Sequence, residues 1–449
     1  MSRFIASCVL LGLGVLIMPQ TSAQEPVAPR VVLISIDGMM PSSYTGEAYA
    51  ADTPHLRALA RDGVFADGVV GVLPTVTYPS HTTLITGVEP AKHGIYDNTI
   101  LDPENRSNGA WYWYANAIKV PTLPMAARAR GLRAAAVTWP VTIGMDLDVN
   151  APEYIGSRHA ESLEMLRVLS QPAGLLDGAA NARGKAFSWP QTDRDRTDLA
   201  TYILKTYDPH VLLVHLIALD TAQHGFGPGS PEAHRTLRAL DANVGEIVAV
   251  ARAAGRAPTT VAVVSDHGFL AVQQQVQPNA AFREAGLLSV DSRGAVTDWK
   301  AWFHSSGGSG YVFVKNAADR AQVATMLAAM KQNPANGIRE IWTHEELVAR
   351  GAHPDAEFGL DVVDGFYTGA GHDVLVKATT SKGGHGFGPD RTALHASLVL
   401  NGPQVQRRGS LGVVKMTQIA PTLANILGVR LSAEAAPALE IAATATTAR

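Results

Sequence analysis

Cysteine is almost absent from this chain. Its 449 residues include one, Cys8, which lies in a predicted signal peptide, so the mature protein is expected to have neither a thiol nor a disulfide. This excludes disulfide-framework folds, thiolate metal sites and cysteine nucleophiles. Any bound metal must then be held by histidine, carboxylate or hydroxyl ligands, which are harder donors than thiolate.

Strong charge of one sign and long apolar runs are missing as well. The formal net charge is −3, and no basic patch with interleaved aromatic residues occurs, so stable nucleic-acid binding is not expected. After residue 23, no run reaches the roughly 18 apolar residues that a transmembrane helix needs. The glycine-rich residues 307–310 precede a predicted strand and lack the spacing of a dinucleotide or P-loop fingerprint.

The composition suggests one large α/β domain or two smaller ones, and we expect a single catalytic domain between two terminal segments. Residues 1–23 read as a signal peptide, with Arg3 before an apolar core and a cleavage site near Ala23. A periplasmic or secreted location is therefore expected. With 46% hydrophobic residues, residues 24–432 have ample material for one catalytic domain. The Ala/Thr-rich tail, residues 433–449, is predicted to be disordered.

The pattern of apolar runs indicates an α/β fold. Residues 31–36, 210–217 and 260–265 are nearly unbroken apolar stretches, which is typical of buried parallel strands. Amphipathic helical segments separate them, so we predict a mostly parallel central sheet with helices on both faces. Residues 140–195 lose this rhythm and contain several prolines, which predicts a cap or insertion over the sheet.

Each of these three strands is followed by an aspartate, and three histidines lie in glycine-flanked loops. The residues are Asp37, Asp220, Asp266, His224, His267 and His385. In a doubly wound sheet the carboxyl ends of the strands meet at one edge. Three carboxylates packed there would repel one another without cations. Two divalent ions would balance three carboxylates and a threonine alkoxide, and such a pair, about 4 Å apart, suits in-line phosphoryl transfer.

The threonine is found in residues 73–87, a loop predicted to become a short helix. Pro79 or Ser80 suits its first positions and Gly87 its end, which places Thr77 just ahead of a helix N-terminus. Free N–H groups and the helix dipole favour a developing alkoxide there. The alternative is a tight turn whose threonines make local hydrogen bonds. Asn98 follows in a turn-rich loop, as a turn residue or as an amide aimed at a substrate oxygen.

These motifs, in this order, resemble the nucleotide pyrophosphatase/phosphodiesterase family of the alkaline phosphatase superfamily. The matching stretches are residues 35–38, 74–81, 94–98, 220–225, 265–268 and 384–386. The resemblance spans residues 31–428 and implies an alkaline-phosphatase-like fold.

The resemblance also implies two zinc ions and a role for each site residue. One ion would be held by Asp37, Thr77, Asp266 and His267, and the other by Asp220, His224 and His385. Thr77 would be the nucleophile and form a phospho-threonine intermediate, while Asn98 and the Thr77 backbone N–H would bind a phosphoryl oxygen. Tyr78 would line the pocket of the leaving or ester group, with Tyr154 as a second aromatic. Manganese, cobalt or iron would also suit these ligands.

The leading functional hypothesis is a phosphodiesterase or nucleotide pyrophosphatase acting on small phosphodiesters, from nucleotides to lipid headgroups. A phosphomonoesterase or phosphonate hydrolase is the alternative, because a further cation near the phosphate, with Lys92 as the first suspect, would favour a dianionic substrate. A secreted, inactive zinc-binding protein is the non-enzyme alternative. The remaining histidines His81, His93, His215 and His395 are interpreted as structural, and the aromatic residues 111–114 as packing.

Overall fold

The computed structural model describes residues 28–107, 110–154, 162–253 and 257–442. The predicted signal peptide, residues 1–23, lies outside the described residues, as do residues 443–449 of the predicted tail. Within the described ranges, no helix is both long enough and apolar enough to cross a lipid bilayer.

Strands and helices alternate along the first half of the chain, and strands dominate after residue 270. The strands are β1 Arg30–Ile36, β2 Val64–Phe65, β3 Gly68–Val70, β4 Ala134–Val137, β5 Val149–Ala151, β6 Val211–Leu216, β7 Thr259–Val264, β8 Leu270–Val276, β9 Leu288–Val290, β10 Val296–Trp299, β11 Ala301–Ser305, β12 Ser309–Val314, β13 Ile338–Thr343, β14 Phe358–Val362, β15 Gly365–Thr368, β16 Val376–Ala378, β17 Gly383–Gly384, β18 Leu398–Asn401, β19 Gly409–Ser410 and β20 Val413–Lys415. The helices are α1 Ser42–Thr45, α2 Pro54–Arg61, α3 Thr77–Thr86, α4 Pro90–His93, α5 Leu123–Ala129, α6 Ser162–Leu169, α7 Leu175–Arg183, α8 Asp193–Thr206, α9 Ala218–Phe226, α10 Pro231–Ala251, α11 Pro278–Glu284, α12 Arg320–Gln332, α13 His344–Ala349 and α14 Ile419–Leu427.

An eight-stranded sheet forms the centre of the fold, in the order β19-β2-β18-β7-β1-β6-β4-β5. The central strand β1 pairs in parallel with β6 and β7, whereas β18 runs antiparallel to β7 and β2. Alternate residues of β1 face opposite sides: Ile34 joins a core with α8 and α10, and Leu33 joins one with α5 and α14. The predicted fold class, a mostly parallel sheet with helices on both faces, is confirmed.

Strand register brings the carboxyl ends of the three central strands to one edge of the sheet. Ile36 pairs with Leu216 across β1 and β6, and Ser35 pairs with Val264 across β1 and β7. The residues that follow β1 and β7 therefore emerge side by side. Helix α9 begins two residues after β6 ends, so its first turn lies over the same edge.

Residues 270–378 build a second β region beside the central sheet. Its antiparallel sheet has the order β11-β12-β14-β13, and β8 pairs with β15 and β16. Both sheets pack with α11 and α12 around a core of their own. The segment predicted as a cap or insertion, residues 140–195, is described except for residues 155–161. Within it, β5 is an edge strand of the central sheet and α7 packs into its core. Three residues of β5 are too few to show a strand pattern in the sequence.

The predicted disorder of the tail does not hold for residues 433–442. Leu439 and Ile441 pack against the core that includes α14. The Leu439 N–H donates to Thr422 Oγ1 at 2.8 Å, and the Ile441 carbonyl accepts from the Gln406 N–H at 3.0 Å. Two apolar side chains in an alanine-rich stretch are a weak sequence signal. In the structure these two partly buried side chains hold the segment against the core.

Candidate metal centre and active site

The predicted metal ligands come from five separated parts of the chain. Asp37 follows β1, and Asp266 and His267 follow β7 at the same sheet edge. These two loops are in direct contact, because the Gly38 N–H donates to Asp266 Oδ1 at 3.1 Å. The others lie on α9, after β17 and at the start of α3, and they are Asp220, His224, His385 and Thr77.

Asp37, Asp266 and His267 form one buried group. His267 Nε2 lies 3.1 Å from Asp266 Oδ2 and 3.4 Å from Asp37 Oδ1. One ligand atom from each residue fits within a sphere typical of metal coordination, since all three atoms lie within 4.8 Å of one another. The geometry suits a divalent cation bound by two carboxylates and an imidazole.

Asp220, His224 and His385 form the neighbouring group. Asp220 and His224 lie one turn apart on α9, with His224 Nε2 3.3 Å from Asp220 Oδ1. His385 Nε2 lies 3.5 Å from Asp220 Oδ1 and 3.1 Å from His224 Nε2. The His385 ring also stacks on that of His267 at 3.6 Å, so the two groups are contiguous.

All three histidines of the site are held in the same way by their other ring nitrogen. Nδ1 lies 2.9 Å from the Gly383 carbonyl for His224, 3.1 Å from the Thr75 carbonyl for His385 and 3.2 Å from the Gly268 carbonyl for His267. A carbonyl only accepts, so each Nδ1 carries the proton, and a neutral ring then has its lone pair on Nε2. This arrangement is usual for histidines that bind metals.

Within the described part of the chain, several buried polar atoms of the site have no hydrogen-bond partner. They are Asp37 Oδ1, Asp220 Oδ1, Asp266 Oδ2 and His267 Nε2. Burial of unpaired carboxylate oxygens is costly, and here these atoms converge. Cations at these positions would satisfy them, and mixed nitrogen and oxygen donors are a common ligand set for zinc. The residues therefore fit the metals that the sequence predicts.

The protonation of the site agrees with an excess of negative charge. Burial, together with the charges of Asp266 and Asp220, raises the pKa of Asp37 well above its usual range. Burial alone would lower the pKa of His267, but the carboxylates of Asp266 and Asp37 raise it to about 9. Burial and the nearby His267 lower the pKa of His385 to about 3, which keeps its Nε2 lone pair available.

Thr77 is the first residue of α3 rather than the residue before it. Its side chain is partly exposed, whereas residues 78–86 are buried. His81 Nδ1 bonds the Thr77 carbonyl at 2.8 Å and lies 3.7 Å from Asp266 Oδ2, which ties this helical turn to the first metal-ligand group. Asn98 Oδ1 accepts the Tyr78 N–H at 2.8 Å. The Asn98 amide is thereby held beside the helix start, with its NH₂ group free of that contact.

The aromatic residues around Thr77 divide into covered and accessible rings. Tyr78 is fully buried, and Trp111 packs edge-on against it at 5.2 Å. Trp113 lies 5.3 Å from Tyr154, and both rings are partly exposed. Trp113 and Tyr154 are thus two of the partly exposed aromatic residues of this region, and Trp113 packs against the buried cluster that contains Tyr78.

Sequence analysis missed the contacts of His215. The ring lies between Asp37 Oδ2, at 3.0 Å, and Glu153 Oε2, at 3.6 Å. Burial opposes its charge, but the hydrogen bond to Asp37 and the nearby carboxylate of Glu153 raise the pKa of His215 to about 10. The available signal was a histidine in the otherwise apolar strand β6. Lys92, the suspected cation, lies instead 3.4 Å from Glu434 at the surface.

Comparisons with known proteins show which family the chain is similar to. The family model for type I phosphodiesterase / nucleotide pyrophosphatase matches residues 31–361. An uncharacterized pyrophosphatase/phosphodiesterase of Schizosaccharomyces pombe is 27% identical over 232 residues, which cover 49% of this chain and 40% of the relative. Human ectonucleotide pyrophosphatase/phosphodiesterase family member 1 is 25% identical, over 51% of this chain and 23% of the relative. The chain thus spans less than half the length of these two relatives.

Other similarities extend over most of the chain. Human bis(5′-adenosyl)-triphosphatase ENPP4 is 20% identical, over 94% of this chain and 83% of the relative. The structure of human ectonucleotide pyrophosphatase/phosphodiesterase 5 aligns with a TM-score of 0.64 at 17% identity, over 91% of this chain and 96% of that chain. An inactive variant of the murine protein in complex with AMP aligns with a TM-score of 0.63 at 18% identity and the same coverage, 91% and 96%.

The structural similarities establish the alkaline-phosphatase-like fold. Because the family model covers well over half of the residues, the chain belongs to the type I phosphodiesterase / nucleotide pyrophosphatase family.

Proposed function

We propose that this chain is a two-metal phosphodiesterase and nucleotide pyrophosphatase that acts through a covalent phospho-threonine on Thr77. One observation carries the proposal. Three buried carboxylate oxygens and the Nε2 atom of His267 lie at the edge of the sheet without hydrogen-bond partners among the described residues, and His81, which bonds the Thr77 carbonyl, lies 3.7 Å from one of them.

The two groups of ligands would hold one ion each. Asp37, Thr77, Asp266 and His267 would bind the first, and Asp220, His224 and His385 the second. When bound, the ions supply positive charge that favours the alkoxide form of Thr77 and stabilises the attacking and leaving oxygens. Zinc suits this mixture of nitrogen and oxygen donors, and manganese, cobalt or iron are the alternatives.

Thr77 would act in two successive displacements at phosphorus. In the first, Thr77 Oγ1 would lose its proton and form a bond to phosphorus while the bond to the leaving oxygen breaks, and the alcohol or phosphate would leave with a proton taken from solvent. In the second, water would lose a proton and form a bond to phosphorus while the bond to Thr77 breaks and Thr77 Oγ1 takes up a proton, which releases a phosphate monoester and the free hydroxyl. The Asn98 NH₂ group and the Thr77 backbone N–H would donate to a non-bridging oxygen throughout.

A nucleotide diester or pyrophosphate is the proposed substrate class. The neutral amide of Asn98 suits the single negative charge of a diester, and Lys92 is engaged by Glu434 at 3.4 Å. The partly exposed rings of Trp113 and Tyr154 offer a surface for an aromatic ester group. One relative is named for hydrolysis of bis(5′-adenosyl) triphosphate, and another binds AMP, which supports a nucleotide.

The proposal is tested by comparing two substrates on the zinc-loaded protein. We expect kcat/KM for an aryl ester of a nucleoside monophosphate to exceed that for an aryl phosphate monoester by at least about a hundredfold, or about 3 kcal/mol of transition-state binding. A preference for the monoester would establish the phosphomonoesterase alternative. Absence of both activities in protein that holds two ions would favour the inactive zinc-binding alternative.

Replacement of Asn98 by aspartate tests the role of its amide. Aspartate keeps an acceptor for the Tyr78 N–H, at 2.8 Å in the native protein, but loses the NH₂ donor and adds negative charge. We expect kcat for the diester to fall by about 10²–10³-fold, as for removal of other oxyanion donors. The free energy of unfolding should change little. An unchanged kcat would show that Asn98 only shapes its loop.

We also propose that the mature protein acts in the periplasm or outside the cell, after cleavage near Ala23. Sequencing the N-terminus of protein recovered from the secreted fraction should give Gln24 as the first residue. Retention of the first 23 residues, or recovery only from the cytoplasm, would contradict this.

A further inference from the structure

His215 is the next-to-last residue of β6, near the sheet edge that carries the predicted metal ligands. Its side chain is completely buried, with 0% exposure, and both of its ring nitrogens face hydrogen-bond acceptors. Nε2 lies 3.0 Å from Asp37 Oδ2, and Nδ1 lies 3.2 Å from the Thr138 carbonyl and 3.6 Å from Glu153 Oε2. Carboxylate and carbonyl oxygens have no hydrogen to donate, so His215 is the donor on both sides. Its neighbours along β6 are apolar, so packing alone gives no reason for an imidazole here.

Because of the contact with His215, the two carboxylate oxygens of Asp37 have different surroundings. Oδ2 accepts from His215, whereas Oδ1 has no hydrogen-bond partner and lies 3.4 Å from His267 Nε2. The main chain is fixed as well, because the Asp37 N–H donates to the Leu216 carbonyl at 2.9 Å. Asp37 is thereby held with one defined oxygen directed to the first group of ligands.

Glu153 completes this arrangement from the other side of His215. It follows β5, and its side chain is buried, with 4% exposure and no hydrogen-bond partner for Oε2 among the residues that the structure describes. Thr138, which follows β4, donates through Oγ1 to the His215 carbonyl at 2.9 Å. Neighbouring strands of the central sheet thus hold the His215 ring between two carboxylates.

We propose that His215 and Glu153 are positioning residues for the metal centre: His215 presents Asp37 Oδ1 to the ion shared with Asp266 and His267, and Glu153 orients His215. The proposal rests on the proposed function only in requiring a cation at Asp37. Partners that orient metal ligands in this way typically contribute about 10–100-fold to metal affinity.

The test measures zinc binding rather than catalysis. Full-length mature protein is freed of metal with a chelator, and zinc is then titrated in competition with a chromophoric chelator to obtain both dissociation constants. The variants are His215→Leu, which removes both donors, and Glu153→Gln, which keeps the shape of the side chain. His215→Gln offers Asp37 one amide donor again and serves as the conservative variant.

His93→Leu is the matched control for loss of a buried histidine. His93 has 0% exposure and contacts Thr83 Oγ1 and the Ile95 N–H, each at 3.1 Å. It therefore reports the cost of replacing a hydrogen-bonded imidazole that touches none of the proposed ligands.

We expect His215→Leu to raise the dissociation constant of one of the two zinc ions by about 10–100-fold and to leave that of the second ion unchanged. Glu153→Gln and His215→Gln should give values between those of the native protein and His215→Leu. His93→Leu should lower the unfolding temperature but leave both constants unchanged. If His215→Leu does not fold, Glu153→Gln alone tests the inference, and we expect it to raise the dissociation constant of one zinc ion about tenfold. Native affinity for both ions in the folded variants would overturn the inference. Native protein that binds no zinc would overturn the proposed function together with it.

Discussion

Replacement of Thr77 by alanine is expected to lower kcat/KM for a nucleotide diester by about 10⁵-fold, because the reaction then lacks its nucleophile. The side chain is partly exposed at the start of α3, so the free energy of unfolding should change by less than about 1 kcal/mol. Steady-state kinetics and chemical denaturation of the zinc-loaded variant measure the two effects separately.

Two further variants make the Thr77 prediction specific. Thr77→Ser keeps a hydroxyl, so it should retain measurable activity and give a phospho-serine in acid-quenched peptides, where the native protein gives phospho-threonine. Thr86→Ala is the matched control, since Thr86 lies in the same helix and donates to the Thr82 carbonyl at 2.8 Å. It should lower stability by about 1 kcal/mol and leave kcat unchanged. Activity within tenfold of native in Thr77→Ala would mean that water attacks the substrate directly.

The fold and the cluster of site residues follow from strong local signals. Strands β1, β6 and β7 are buried on both faces, so each is a nearly unbroken apolar run in the sequence. The ends of these runs predict the ends of the strands. Asp37 and Asp266 follow directly from those ends. Asp220 and His224 are one helical turn apart, which is a local constraint of α9. His385 is different, because its place beside His267 depends on long-range packing, and its glycine-flanked loop gave only an indication.

The features that could not be read depend on contacts between distant segments. Glu153 reaches His215 only because β5 is added to the sheet edge, and β5 is too short to predict. Tyr78 directly follows Thr77, yet its ring is covered by Trp111 from another loop. In residues 433–442, the packing of Leu439 and Ile441 against the core could not be predicted from an alanine-rich sequence. In each case a few buried contacts override a weak local pattern.

Replacement of Asp266 by asparagine is expected to remove one of two bound zinc ions and to lower kcat for the diester by at least about 10³-fold. This exceeds the roughly 10–100-fold cost of losing an outer partner of a ligand. Asp266 Oδ1 accepts the N–H groups of Gly38 and His267, each at 3.1 Å, and asparagine can keep both contacts. Its NH₂ group then replaces Oδ2, the atom without a hydrogen-bond partner, and an amide NH₂ has no lone pair to offer a cation. Metal analysis of purified protein and steady-state kinetics measure the outcome.

Asp241→Asn separates this effect from the loss of a buried charge. Asp241 has 1% exposure and accepts the N–H groups of His55 and Leu56 at 3.0 and 2.8 Å, at the start of α2. Its replacement should lower stability but keep two ions and native kcat. In native protein, free zinc at a thousand times its dissociation constant should stabilise the fold by about 4 kcal/mol per ion. Asp266→Asn should lose about that much of the response to zinc, because in the proposed function one of the two ions depends on its carboxylate. Two tightly bound ions in Asp266→Asn would show that Asp266 only shapes its loop.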